Sequence, residues 1–152
     1  GFDRVTFLLQ ANPGEQKGPV ARVASGGELS RIYLALQLSA GDGAEAERPT
    51  MIFDEVDSGI GGSEAAALGR KLRALSDSSQ LLAVTHLPQV ASCGHRQFHV
   101  RKQVEGERTR VVVDRLSDDE RIEEIARMLS GESVTETSLA HARDLLASET
   151  GA

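Results

Sequence analysis

The sequence predicts an α/β protein, and three observations carry that expectation. A strand, a helix and a second strand follow one another between residues 49 and 85, the order of a βαβ unit. The two strands, Thr50-Met51-Ile52-Phe53 and Leu81-Leu82-Ala83-Val84, are short unbroken apolar runs, the pattern of parallel strands buried on both faces. Apolar residues at helical spacing then recur through the last third of the chain. Together they predict a largely parallel sheet with flanking helices, a right-handed crossover and an additional antiparallel hairpin.

In chain order, residues 5–10 read as a strand that ends at the turn signal Asn12-Pro13-Gly14. A polar loop over 15–24 leads into Ser25-Gly26-Gly27-Glu28. Leu29, Ile32, Tyr33, Leu36 and Ala40 follow at helical spacing, and Gly41-Asp42-Gly43 stops that helix after which Arg48-Pro49 opens the first buried strand. Ala65, Leu68, Leu72 and Leu75 mark the crossover helix. Thr85-His86-Leu87-Pro88 closes the second buried strand, and a short helix starts near Pro88. Residues 98–104 and 109–116 flank Glu105-Gly106-Glu107 as a hairpin. Ser117-Asp118-Asp119-Glu120 is a capping box, and Ile122, Ile125, Ala126 and Leu129 give its helix a buried stripe that Gly131 ends. A last helix is expected over 135–147.

At 152 residues, one domain over 1–152 with one core is expected. A hydrophobic fraction of 39% and a charged fraction of 26% are those of a folded chain and exclude a disordered tail. The apolar runs are too short to cross a bilayer. The first ten residues carry Asp3 and Arg4 and lack the apolar stretch of a secretory signal. A single cysteine, Cys93, excludes an intramolecular disulfide and fits a reducing cytoplasm, and its spacing to His86, His95 and His99 matches no regular zinc pattern.

The net charge is 17 − 23 = −6, and residues 117–152 hold all of it, with nine acids against three arginines. Residues 96–115 hold six bases against three acids, a local strip able to touch phosphates. With five aromatics and no tryptophan, a base-stacking platform is not expected.

Three places carry candidate chemistry. Phe53-Asp54-Glu55 ends the first buried strand, on the sheet edge where open α/β sheets bind ligands. Asp54 there suits a Mg²⁺ ion, and Glu55 suits the orientation or deprotonation of a water; the bland alternative is a pair of solvated strand-end carboxylates. His86 ends the second parallel strand on the same edge, as a donor to a phosphate oxygen or as a plain helix cap. Ser25-Gly26-Gly27-Glu28 is a capping box in form, but its two glycines weaken a helix start while letting an anion approach the first amides and the serine hydroxyl.

Taken in this order, SGGELSR (25–31), TMIFDEVDSGIGG (50–62) and LLAVTHLPQVAS (81–92) resemble the signature motif, Walker B strand and histidine switch of ABC-type ATPases. More narrowly, FDEVDSGIGG, THLPQVAS and RIEEIARMLSG (121–131) are similar to the bacterial DNA-repair ATPases of the structural-maintenance-of-chromosomes (SMC) branch. The resemblance implies the carboxyl-terminal lobe of a P-loop NTPase head that binds ATP and Mg²⁺. In that family Ser25, Gly26 and Gly27 would contact the γ-phosphate of ATP held by a second head, with Glu28 supporting the loop. Asp54 would anchor the Mg²⁺ shell through water, Glu55 would be the general base, and His86 would sense the γ-phosphate. The family's aspartate in the loop after Walker B falls at Gly61 here, where Asp57 is the candidate stand-in.

No G-x-x-x-x-G-K-[ST] loop occurs, so the lysine that cradles the β- and γ-phosphates is missing from these residues. The chain therefore reads as the carboxyl-terminal half of one head, inactive alone. Its expected partners are an amino-terminal Walker A lobe of the same protein, a second head in a homodimer, and DNA through the full-length protein, in the cytoplasm and with no membrane. Two other readings stay open: a C-lobe binding module that never hydrolyses ATP, and the ATP-binding subunit of another ABC family.

Overall fold

A computed structural model of the chain describes residues 2–10, 12–39, 50–106, 108–131 and 133–150. The expected helix stop at Gly41-Asp42-Gly43, with Ala40 and Arg48-Pro49, lies outside the described residues, as does Glu107. The chain divides into two compact units, Gly1–Ile60 with Leu75–Thr85, and Gly61–Ala74 with His86–Ala152.

The first unit opens with β1 (Leu8–Leu9) antiparallel to β2 (Gly18–Pro19). The strand expected over 5–10 contracts to two residues, because its partner turns into a helix at Val20, whose amide makes the last bond across, 2.9 Å to the Phe7 carbonyl. The chain turns at once into α1 (Val20–Val23), so the segment read as loop holds a strand and a helical turn. The turn at Asn12 is present, with the Glu15 amide donating to the Asn12 carbonyl at 3.2 Å.

Helix α2 (Gly26–Ser39) buries Gly27 and Leu34, while Leu29, Tyr33 and Leu36 are exposed. The Tyr33 ring meets that of Phe53 with centroids 5.7 Å apart. Strands β3 (Met51–Phe53) and β4 (Leu81–Ala83) pair in parallel, Met51 opposite Leu81 and Phe53 opposite Ala83. The Val84 amide adds a bond of 2.9 Å to the Phe53 carbonyl. The βαβ order is thus the one expected. Burial on both faces is not: Met51 and Phe53 are buried, but Ile52 between them is 67% exposed, and Leu82 and Val84 are exposed as well. An unbroken apolar run cannot distinguish a strand covered on two faces from one covered on a single face here, because the second cover has to come from other residues.

Helix α3 (Gly62–Ser76) starts in the second unit and ends in the first, with the expected stripe of Ala65, Leu68, Leu72 and Leu75 buried. In the second unit α4 (Pro88–Ala91) has Leu87 as its N-cap with no side-chain cap bond, and Pro88 at its start. Strands β5 (Phe98–Glu105) and β6 (Arg108–Arg115) form the hairpin, in register from Phe98 opposite Arg115 to Glu105 opposite Arg108. Strand alternation puts Phe98, Val100, Val104, Val111 and Val113 on one face, and all five are exposed.

Helices α5 (Asp118–Ser130) and α6 (Glu136–Thr150) close the unit around Ile125, Ala126 and Ala142. Gly131 ends α5 with φ 74°, a conformation that suits glycine. No described helix is long and apolar enough to cross a membrane.

Candidate functional site

The loop after β3 is held from two sides within the first unit. From α2, the Ser30 hydroxyl donates to the Asp54 carbonyl at 2.9 Å. The Arg31 guanidinium donates to the carbonyls of Val56 at 3.1 Å and Ser58 at 2.8 Å. From the end of β4, the Thr85 hydroxyl donates to Asp57 Oδ2 at 2.5 Å. Val56 is fully buried between these supports, and the Ser58 amide closes a turn onto the Glu55 carbonyl at 2.9 Å.

This loop holds Glu55 at φ 55°, the one non-glycine residue with positive φ among the described residues. A left-handed conformation at a residue with a Cβ costs on the order of 1–3 kcal/mol and persists where the surroundings over-determine it. Four hydrogen bonds from Ser30, Arg31 and Thr85 to residues 54–58 supply that determination.

The start of α2 packs on the same loop. A Cβ at Gly27 would lie 2.8 Å from the Glu55 carbonyl oxygen and 2.9 Å from Ser58 Cβ, closer than any side chain tolerates. A Cβ at Gly26 would lie 3.0 Å from Glu55 Oε2. The two glycines that make a poor helix start are therefore what lets the helix start and the carboxylate loop touch. Before them, Ser25 and Glu28 close a capping box. The Ser25 amide and hydroxyl donate to Glu28 Oε2 at 2.8 and 2.7 Å, and the Glu28 amide donates back to the hydroxyl at 3.3 Å. The bond from the Ser25 amide, then that from its hydroxyl, and more weakly the charge of Arg31, hold the Glu28 carboxyl below its ordinary value.

The first unit thus brings Ser25, Gly26, Gly27, Glu28, Asp54, Glu55 and Asp57 into one region. Asp54 and Glu55 are exposed, whereas Asp57 is 2% exposed with its carboxylate turned inward to Thr85. His86 is exposed and follows Thr85 directly, as the first residue of the segment assigned to the second unit. Sequence reasoning gave no role to Ser30, Arg31 or Thr85. One signal was available: Gly27, Arg31 and Leu34 share a helix face, and a charge on a face whose other members are buried needs a partner.

An exposed carboxylate at a strand end, beside a helix start whose free amides favour anions, can bind or orient a polar reactant. Asp54 is a hard oxygen donor of the type Mg²⁺ accepts, an ion that keeps several waters and takes one or two carboxylates beside substrate phosphates. The residues present fit such an ion.

No protein-family model matches the chain. It is 51% identical over 146 residues to the DNA repair protein RecN of Vibrio cholerae, covering 96% of this chain and 26% of that protein. It is 49% identical to RecN of Haemophilus influenzae, with the same coverage, and 51% identical to RecN of Deinococcus radiodurans, covering 97% of this chain and 25% of that protein. The chain thus spans about a quarter of the length of the curated relatives it matches. A solved structure from work on "ATP-driven dimerization and DNA stimulated activation of SMC ATPases" aligns with a TM-score of 0.49 at 17% identity, covering 83% of this chain and 81% of that one. With about half of its residues identical to RecN proteins over nearly its full length, the chain matches the carboxyl-terminal part of RecN proteins.

Proposed function

We propose that this chain is the carboxyl-terminal lobe of an ABC-type ATPase head in a RecN DNA repair protein. It supplies the signature loop (Ser25, Gly26, Gly27, supported by Glu28), the Walker B carboxylates Asp54 and Glu55, and the histidine switch His86. One observation carries this reading: Glu55 is held in a left-handed conformation at the carboxyl end of a parallel strand, its carbonyl packed against Gly27, where no side chain fits. A strand-end acid with only a solvation role has no use for such a support.

In this reading Asp54 holds the Mg²⁺ shell through water. Such an ion, when bound, would supply neutralisation of phosphate charge. Glu55 accepts the proton of the attacking water, and His86 donates a hydrogen bond to the γ-phosphate. Ser25 and the first amides of α2 receive the γ-phosphate of ATP bound to a second head, so dimerisation of heads and hydrolysis go together.

The phosphate-cradling loop comes from an amino-terminal lobe of the same protein, and the chain alone is inactive. The exposed faces support that partner: a parallel pair is ordinarily covered on both sides, yet Ile52, Leu82 and Val84 are open, as is the apolar face of the hairpin. The full-length protein acts on DNA, in the cytoplasm at the nucleoid, as the repair role named for its relatives suggests.

The test is Glu55→Gln in the full-length protein. Loss of a general base lowers turnover roughly 10²–10⁴-fold while ATP stays bound, and the nucleotide-bound dimer persists longer. Loss of ATP binding instead, read by equilibrium titration of the nucleotide, would make Glu55 a structural residue.

A further inference from the structure

We infer that Asp57 and Thr85 form an internal clasp that positions the general base, a role that rests on the ATPase reading of Glu55. Asp57 is almost wholly buried, and its Oδ2 accepts from Thr85 Oγ1 at 2.5 Å. A buried carboxylate is costly unless it is hydrogen-bonded, so this pair is held for a reason. Its place in the fold gives the reason. Asp57 lies two residues after Glu55, in the loop that leaves β3, and Thr85 lies two residues after the end of β4. The bond therefore ties together the carboxyl ends of the two parallel strands, and the residue that follows Thr85 is His86.

The clasp holds the loop from a second element, the end of β4, in addition to α2. Arg31 pins the carbonyls of Val56 and Ser58 from the helix, and Thr85 pins the Asp57 side chain from the strand. With Ser30 holding the Asp54 carbonyl before it and these anchors on residues 56–58 after it, the backbone at Glu55 is restrained from relaxing from φ 55° into the right-handed region. Neither Asp57 nor Thr85 meets the reacting atoms. Both are positioning residues, and their effect passes through the backbone of residues 55–57. Asp57 thereby has a function inside its own chain, distinct from the contact across a dimer expected of an aspartate in this loop.

The experiment is a double-mutant cycle in the full-length protein, with steady-state ATP hydrolysis, ATP titration and melting temperature read for each variant. Thr85→Val keeps the shape and removes the donor. It is expected to lower kcat roughly 10–100-fold, the scale of a small misplacement of a catalytic group, with KM for ATP and ATP affinity unchanged. Thr85→Ser keeps the hydroxyl and restores turnover. Glu55→Gln combined with Thr85→Val turns over at the rate of Glu55→Gln alone, because the clasp has nothing left to position.

Wild-type kcat in folded Thr85→Val overturns the proposal, and so does a double mutant in which the two factors multiply. Asp57→Asn enters the same cycle, so the outcome does not hang on the folding of one variant. Slow Glu55→Gln with fast Thr85→Val removes the clasp alone. Wild-type turnover in Glu55→Gln itself removes the base assignment, and the clasp with it.

Discussion

Two helices of this molecule begin on the same device, and they differ in what lies inside it. In α2 and in α5 a serine and a glutamate three residues on close a capping box with nearly equal geometry. The serine amide and hydroxyl donate to the carboxylate at 2.8 and 2.7 Å in both, and the glutamate amide returns to the hydroxyl at 3.3 Å in one and 3.4 Å in the other. The first helical bonds, Leu29 to Ser25 and Arg121 to Ser117, are both 2.9 Å.

Between serine and glutamate, α5 has Asp118-Asp119 and α2 has Gly26-Gly27. Acids in a first turn complement the helix dipole, each by about 0.3–1 kcal/mol. Glycines in a helix cost about 1 kcal/mol each relative to alanine. The box of α5 is built for helix stability. That of α2 gives stability up, and what it gains is contact with Glu55 and open amides.

The largest effect expected from this contrast is at Gly27. A methyl there collides with the Glu55 carbonyl and with Ser58, so Gly27→Ala in the full-length protein should lower ATP turnover on the order of 10²-fold through misplacement of Glu55. The matched change at α5, Asp119→Ala, should leave turnover as it is. Equal turnover in the two variants would mean that the close packing of Gly27 has no functional consequence.

How much of this was legible beforehand follows from the same two boxes. The pattern Ser-x-x-Glu before an apolar repeat announces a helix start, and both starts fall where expected because capping is local chemistry. The βαβ order and the stripe of α3 were legible for the same reason, being carried by spacing within one segment. Contacts between distant segments were not. Nothing near Asp57 in the sequence indicates Thr85, and the exposure of Ile52 depends on what covers the pair rather than on the run Met51-Ile52-Phe53 itself. At α2 the apolar residues at helical spacing are largely exposed, and the buried positions include a glycine; a pattern reading seeks large apolar side chains and passes over a residue buried because it has none.

A smaller effect comes from reversing the contrast. Asp118→Gly with Asp119→Gly gives α5 the interior of the other box, and should cost about 1–2 kcal/mol from lost propensity and dipole terms. Urea unfolding of the full-length protein would show it, with hydrolysis unchanged below the transition. No shift in the midpoint would mean that the acids of α5 contribute nothing to its start.

The smallest effect is a pH dependence shared by both boxes. Glu28 and Glu120 are each held below the ordinary value of 4.5, first by the serine amide and then by its hydroxyl. A carboxyl with a depressed folded-state value stabilises the fold above its unfolded-state value, and that stabilisation is lost as pH falls through the folded-state value. Glu28→Gln and Glu120→Gln should therefore melt below wild type at neutral pH and converge with it in acid. Scanning calorimetry across that range would detect a constant offset if the carboxylates play no part.

The most direct measurement compares Ser25→Asp with Ser117→Asp in the full-length protein, reading the ATP-dependent dimer by sedimentation velocity. In each box the new carboxylate replaces a hydroxyl that donates to glutamate at 2.7 Å, so both variants lose stability by similar amounts and each controls for the other. Only at Ser25 would the added charge face the γ-phosphate of ATP held by a second head. The account predicts that Ser117→Asp dimerises with ATP as wild type does, whereas Ser25→Asp binds ATP in each head but stays monomeric. Wild-type dimerisation in Ser25→Asp would reduce this serine to a cap like its counterpart and contradict the account.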